Sequence, residues 1–364
     1  MPVPRPGIMD ISPYVGGEAH AEGAARQIRL ASNEGALGPS PRATAAYRHI
    51  GQDLHRYPDG GSTLLRHTIA RLYGLEPDQI VCGNGSDDIL VLLTRAYAGP
   101  GDEILHSAHG FLVYPIAAQS VGATPVAAPE KNLTTNVDAL LERVTPRTRM
   151  VFIANPNNPT GSYLPAAEID RLHAELPTDV VLVLDAAYAE YVSRSDYEAG
   201  IALVRRAENV VMTRTFSKIY AMGGLRLGWA YGPSGITEVL NRVRGPFNVG
   251  LPAQAAGAAA LEDVEFLAAS RAHNEKWREW FSQEVRALGL IVHPSVANFV
   301  LISFAEQSGE KAQSETARQF LKKRGILVRQ MNSYGLPDCL RVSIGREEEM
   351  RAVVSALAEF LRVL

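Results

Sequence analysis

Lys218 closes the run Thr215-Phe216-Ser217-Lys218, and Gly223-Gly224-Leu225-Arg226 brings an arginine eight residues after it. Upstream stand Asn155-Pro156-Asn157-Asn158-Pro159-Thr160-Gly161 and Asp185-Ala186-Ala187-Tyr188. These segments hold an amine that can form a Schiff base, a carboxylate for a protonated ring nitrogen, and an amide and a phenol for a phenolic oxygen. They also hold a cation beside small hydroxyls, suited to a phosphate. Those are the partners that pyridoxal phosphate requires.

Each residue type also has a plainer use, and the combination decides. Asp185 follows Val180-Val181-Leu182-Val183-Leu184, a run apolar enough for a strand buried on both faces. Alone, an aspartate there would cap the next segment. With Tyr188 three residues on and Lys218 at the end of a later strand, a buried pyridinium is the better partner, because a nearby carboxylate keeps that nitrogen protonated. Lysines are mostly solvated. Lys218, however, has Thr215, Ser217, two glycines and Arg226 for company, a set that a surface loop does not need. Burial and neighbouring cations would lower its pKa and favour the neutral amine for Schiff-base exchange and proton transfer. Gly83-Asn84-Gly85-Ser86-Asp87 has the form of a turn into a helix N-terminus, where backbone N–H groups bind phosphate. Asn158, between Pro156 and Pro159, and Tyr188 can both donate to the phenolic oxygen.

Bringing these residues together takes several strand ends side by side, as at the carboxyl edge of an open α/β sheet. Apolar strands are expected at 80–82, 104–105, 149–154, 180–184 and 209–213, with helices from 62, from 87, near 136–144 and near 165–175. Ser62 is expected to cap the first helix, with Leu64, Leu65, Ile69 and Leu72 on its buried face and Gly74 at its end. Such strands alternating with helices indicate a mostly parallel sheet sandwiched by helices. Beyond Pro252 an alanine-rich helical stretch runs toward Arg286. Strands at 298–304, 326–329 and 339–344 then alternate with helices near 315–324 and 347–362, which reads as a smaller α+β domain. Prolines 2, 4, 6 and 13 and glycines 7, 16 and 17 oppose regular structure at the start. The expected organisation is an arm over 1–30, a large cofactor-binding domain over 31–250 and a small domain over 251–364.

Composition narrows the partners. The chain has 364 residues, 46% of them apolar, enough for two real cores. A net charge of −3 makes no electrostatic case for nucleic acid or an anionic membrane. Cys82 and Cys339 are far apart and outside any metal-ligand spacing, so two reduced, buried thiols are expected. No apolar run has the length of a signal core or a membrane span, which makes the cytoplasm the expected location. His106 and His109, three apart, are expected in packing or surface roles, with no metal bound. Lys322-Lys323-Arg324 reads as the solvated end of a helix.

With the motifs above, Ser32-Asn33-Glu34, Leu37-Gly38-Pro39-Ser40-Pro41, Arg56-Tyr57-Pro58-Asp59, Pro246-Phe247-Asn248-Val249 and Leu340-Arg341-Val342-Ser343-Ile344-Gly345 complete a pattern. It resembles, nearly end to end, the fold-type I, class-II pyridoxal-phosphate-dependent aminotransferases, and among them the histidinol-phosphate aminotransferases. The resemblance implies that Lys218 is the Schiff-base lysine, Asp185 the partner of the pyridine nitrogen, and Asn158 and Tyr188 ligands of the phenolic oxygen. Lys218, Asp185 and Tyr188 are then the catalytic residues. Ser86, Asp87, Thr215, Ser217 and Arg226 match the phosphate cup, and Phe111 the aromatic ring over the pyridine face. Tyr57 matches a tyrosine that reaches the phosphate of the neighbouring subunit's cofactor, which implies a homodimer. Tyr14, Asn33, Arg329 and Arg341 match the substrate side, where an arginine fork suits carboxylate or phosphate. The sequence departs from the family at Ala186, which stands where glutamate is common, and at Gly35-Ala36, expected near the substrate entrance, where Asn-Pro is common.

The implied reaction is a ping-pong exchange. Histidinol phosphate leaves as imidazole-acetol phosphate, and 2-oxoglutarate leaves as glutamate, with Lys218 moving the α-proton. Arg329 and Arg341 are expected to serve a phosphate in one half-reaction and carboxylates in the other. An aromatic amino-acid aminotransferase or a related decarboxylase would use the same lysine and aspartate. A ligand-binding module without turnover would not need Lys218, Asp185 and Arg226 together.

Overall fold

The structure, a computed structural model, describes residues 2–20, 27–304 and 313–363. Residues 1 and 21–26 of the expected arm lie outside the described residues. The strands are β1 (Ile28–Leu30), β2 (Ile80–Gly83), β3 (Glu103–Ser107), β4 (Thr124–Ala128), β5 (Thr148–Ala154), β6 (Val181–Asp185), β7 (Val210–Thr215), β8 (Gly228–Tyr231), β9 (Ile291–Val292), β10 (Phe299–Ser303), β11 (Ile326–Gln330) and β12 (Cys339–Ser343). The helices are α1 (Pro41–His49), α2 (Thr63–Tyr73), α3 (Ser86–Tyr97), α4 (Val113–Ser120), α5 (Val137–Leu141), α6 (Ala166–Glu175), α7 (Ile201–Val204), α8 (Ser234–Val243), α9 (Leu251–Leu261), α10 (Val264–Ala287), α11 (Gln313–Lys323) and α12 (Glu347–Arg362).

The large sheet has the order β2-β8-β7-β6-β5-β3-β4, and only β8 runs antiparallel to its neighbours. Its alternating side chains feed two cores. Val151, Ile153, Leu182 and Leu184 point into one, and Met150, Phe152, Val181 and Val183 into the other. Burying each such side chain contributes about 1.5–3 kcal/mol, which is why these strands read as unbroken apolar runs. Strand β8 is apolar and buried too, but only four residues long, and it was not expected. It begins at Gly228, where a Cβ would lie 2.3 Å from the Ser86 amide nitrogen, so the strand can approach the start of α3 only without a side chain.

Three local expectations change. Ser62 does not cap α2: its backbone is left-handed (φ 49°), and Asp59 takes the role, accepting from the amides of Gly61 at 2.8 Å and Thr63 at 2.7 Å. An ionised carboxylate is the stronger acceptor and also favours the helix dipole. On the same helix Leu65 and Ile69 are buried, whereas Leu64 and Leu72 lie on the exposed side. The alanine-rich stretch is two helices, α9 and α10, parted at Glu262 and Asp263. Small side chains let α9 pack closely on α1 and α2, so it belongs to the core of the large sheet.

The second sheet has the order β1-β11-β12-β10-β9. β1 pairs in parallel with β11, so the last residues of the expected arm form a strand of this sheet. Lys322 and Arg324 are not a free helix end. Lys322 Nζ lies 3.1 Å from Glu18 of the arm, and Arg324 pairs with Glu359 and covers the Phe320 ring. Both cysteines are free and buried, and burial pushes the Cys82 thiol up to about 12. Among the described residues no helix is long and apolar enough to cross a membrane, and no group of three or more His, Cys, Asp or Glu side chains could hold a metal ion.

Candidate active site

Parallel β5, β6 and β7 end at one edge of the sheet, where Asp185 is the last residue of β6 and the loops after β5 and β7 bring Asn158 and Lys218 beside it. A cavity of about 530 Å³ opens there. Tyr14, Asn33, Ser86, Asp87, Phe111, Asn158, Asp185, Tyr188, Thr215, Ser217, Lys218, Arg226, Arg329 and Arg341 all line it. Tyr57 does not: it is 83% exposed on the outer surface and stacks on Phe247 at 4.7 Å.

Asp185 forms the floor. Its Oδ2 accepts from the Tyr114 hydroxyl at 2.9 Å and its Oδ1 from Thr213 Oγ1 at 3.2 Å. Burial pushes the carboxyl up to about 6, against the lowering pull of those two donors and of Lys218. Lys218 Nζ donates to the Ser32 carbonyl at 3.2 Å and lies 5.7 Å from the centre of the Tyr188 ring. Burial first, then the positive charges of Arg341 and Arg226, bring its pKa down to about 8. The amine is therefore partly neutral near neutral pH, where an ordinary lysine is fully charged.

At the start of α3, Gly85 takes φ 97°, and a Cβ there would fall 2.3 Å from Arg226 Nη2 and Asp87 Oδ1. Arg226 bonds Asp87 at 2.6 Å and Ser217 Oγ at 3.3 Å. The result is a cradle of helix N-terminus, hydroxyl and guanidinium suited to a phosphate. Across the cavity, Asn158 Oδ1 accepts from Arg341 Nη1, which turns the amide so that Nδ2 remains a donor. Tyr188 OH accepts from Asn33 Nδ2 at 2.9 Å and keeps its own hydrogen to give. Burial holds that phenol well above its usual range, hence protonated.

The second sheet brings Arg329 and Arg341 directly opposite each other in register on β11 and β12. Two like charges in that position repel, at a cost that an anion between them would offset. Arg341 is buried, donates to Ala31 O at 2.8 Å, and has no partner for its Nε among the described residues. Arg329 donates to Val15 O at 2.5 Å, tying down the arm so that Tyr14 stands edge-on to Phe111 at 6.2 Å. Gly35, expected at the substrate entrance, instead lies behind the site. A Cβ there would meet Ala221 Cβ at 2.6 Å and Lys218 O at 2.9 Å, so this glycine allows close packing beneath the lysine.

Tyr114 and Thr213 are the residues that motif reasoning missed. The signal for Tyr114 is its place three residues after Phe111, at the start of α4, where its amide donates to the Phe111 carbonyl at 2.9 Å. Phe111 meets it edge-on at 5.9 Å, and Phe152 stacks on its other side at 4.7 Å.

The sequence model described as aminotransferase class I and II matches residues 25–357. The chain is 64% identical over 361 residues to a histidinol-phosphate aminotransferase of Rhodospirillum centenum, covering 99% of each chain. It is 58% identical over 360 residues to that of Paramagnetospirillum magneticum, again covering 99% of each. Among solved structures it is similar to the histidinol-phosphate aminotransferase of Sinorhizobium meliloti in complex with pyridoxal-5'-phosphate. The TM-score is 0.90 at 29% identity, covering 99% of this chain and 97% of the other.

Proposed function

The chain belongs to the aminotransferase class I and II family, and on that premise we propose that it is a histidinol-phosphate aminotransferase of histidine biosynthesis. It exchanges the amino group of L-histidinol phosphate for the oxygen of 2-oxoglutarate, yielding imidazole-acetol phosphate and L-glutamate. The fold is that of the fold-type I transferases. The residues fit pyridoxal phosphate: a buried carboxylate, a neutralisable amine and a phosphate cradle all face one cavity. When bound, that cofactor supplies an electron sink for the carbanion left after loss of the α-proton.

The chain's own residues do the rest. Lys218 Nζ anchors the cofactor and carries the α-proton. Asp185 keeps the ring nitrogen protonated, with Tyr114 and Thr213 fixing its two oxygens. Asn158 Nδ2 and Tyr188 OH donate to the phenolic oxygen. Ser86, Asp87, Thr215, Ser217 and Arg226 hold the phosphate, and Phe111 covers the ring. The observation that carries the substrate reading is the Arg329–Arg341 pair, in register and facing one cavity with Tyr14 and Asn33. It suits a substrate phosphate in one half-reaction and carboxylates in the other.

The proposal includes a cytoplasmic homodimer in which the exposed Tyr57 and Phe247 face a second copy and Tyr57 reaches its phosphate. It also includes an arm, a large domain and a small domain, with the join moved from the expected 250/251 to near Asp263, because α9 packs on the large core.

Mixing the cofactor-loaded protein with L-histidinol phosphate, phenylalanine or aspartate in single turnover tests the reading. Histidinol phosphate is expected to discharge the chromophore fastest and to give a keto product. Faster discharge by phenylalanine makes it an aromatic aminotransferase, and release of carbon dioxide a decarboxylase. In Arg341→Ala, loss of a charged fork worth about 1.5–3 kcal/mol per hydrogen bond raises KM for both substrates about a hundredfold. Wild-type rates in both half-reactions would remove the dual role of the arginine.

A further inference from the structure

Among the buried carboxylates that lie outside the cavity and have no part in the mechanism above, Glu130 is joined to the turn that enters the site. Glu130 stands just beyond β4, with a side chain only 2% exposed. It accepts from Ser107 Oγ, from the His109 amide at 3.2 Å and from His109 Nδ1 at 2.8 Å. All three donors lie at the end of β3 and in the turn that leaves it. A buried carboxylate is stable only with such donors, and here one short segment supplies all of them. Ser107 gives its hydrogen to Glu130 and not to the imidazole, so the Ser–His–Glu grouping is no nucleophilic relay.

The same turn leads into the cavity. The His109 carbonyl accepts from Asn157 Nδ2 at 3.2 Å, next to Asn158. Two residues after His109 comes Phe111, which lines the cavity, and three further on Tyr114, which donates to Asp185. Glu130 thus fixes the ends of β3 and β4 together, and through them the ring above the cofactor site and a donor below it.

We propose that Glu130 is a positioning residue for cofactor binding: it sets the 107–111 turn so that Phe111 and Tyr114 meet the cofactor and Asp185. This rests on the cofactor reading given above. Glu130→Ala leaves three donors unpaired and lets the turn shift; Glu130→Gln keeps an acceptor and the shape.

The test compares wild type, Glu130→Ala and Glu130→Gln as pyridoxal-phosphate-loaded proteins. In Glu130→Ala, amide exchange over 107–111 accelerates about tenfold, the visible circular dichroism of the bound chromophore falls by about half, and the cofactor Kd rises about tenfold or more. Borohydride still labels Lys218 in that variant, and Glu130→Gln stays within about threefold of wild type on each measure. Wild-type dichroism and local exchange in Glu130→Ala overturn the proposal. So does an equal loss in both variants that follows global melting alone. If Glu130→Ala does not fold, Ser107→Ala, which removes one of the three donors, must show the same changes in smaller degree or the proposal fails. Absence of borohydride labelling in wild type instead defeats the cofactor reading, while the exchange measurement still decides whether Glu130 holds the turn.

Discussion

Lys218→Ala is expected to lose all of the cofactor label that borohydride reduction fixes and about 10⁴-fold in turnover, the upper end of what a positioned proton-transfer group supplies. Peptide mass spectrometry after reduction, set beside steady-state rates, measures both. Burial, and then the neighbouring charges, give the same residue a pH signature. Only the neutral amine attacks an aldehyde, and Lys218 becomes neutral through about 8. Attachment of pyridoxal phosphate to the cofactor-free protein should therefore quicken about tenfold per pH unit up to that value and level off above it. A plateau delayed to the ordinary lysine range, above pH 10, would place the attacking amine elsewhere. A label on another lysine would do the same.

Asp185→Asn is the second large effect, and it divides activity from stability. Loss of the charge beneath the ring nitrogen costs about 10²–10³-fold in turnover, the scale of removing one preorganised electrostatic group. The cofactor-free protein should respond in the opposite way. The folded pKa of Asp185, about 6, is raised above the ordinary aspartate value of 3.8. Its contribution to stability is thus fully present below about pH 4 and lost as pH rises through about 6, a change of about 3 kcal/mol. Urea midpoints of the cofactor-free wild type should fall across that window relative to Asp185→Asn, and at pH 7 the variant should be at least as stable. A variant with wild-type turnover, or midpoints that run parallel across pH 4–7, would deny Asp185 its place.

The large sheet was legible because the middle stretches of its strands are buried on both faces and so are apolar, as in Val181–Leu184. β8 and β4 were not. β8 is four residues long and opens on a glycine, and β4 is a partly exposed edge strand with a proline. The substitution of Asp59 for Ser62 as a cap is invisible in sequence, since both residues are capping types within one turn of the helix start. The acidic partner of His109 was not legible either, because Glu130 is 21 residues away and reaches it only where β3 and β4 lie side by side.

The chain by itself determined the chemistry on offer. Lysine, aspartate, asparagine, tyrosine and arginine stand at turns that follow apolar strands, and a local order of that kind survives in one dimension because each turn is a short-range structure. Only the tertiary structure decided which groups act on which. The facing of Arg329 and Arg341, the donors that Tyr114 and Thr213 give to Asp185, and the burial that brings Lys218 to about 8 all arise from strand register and packing between distant segments. Register and desolvation depend on the whole fold, so no local pattern encodes them.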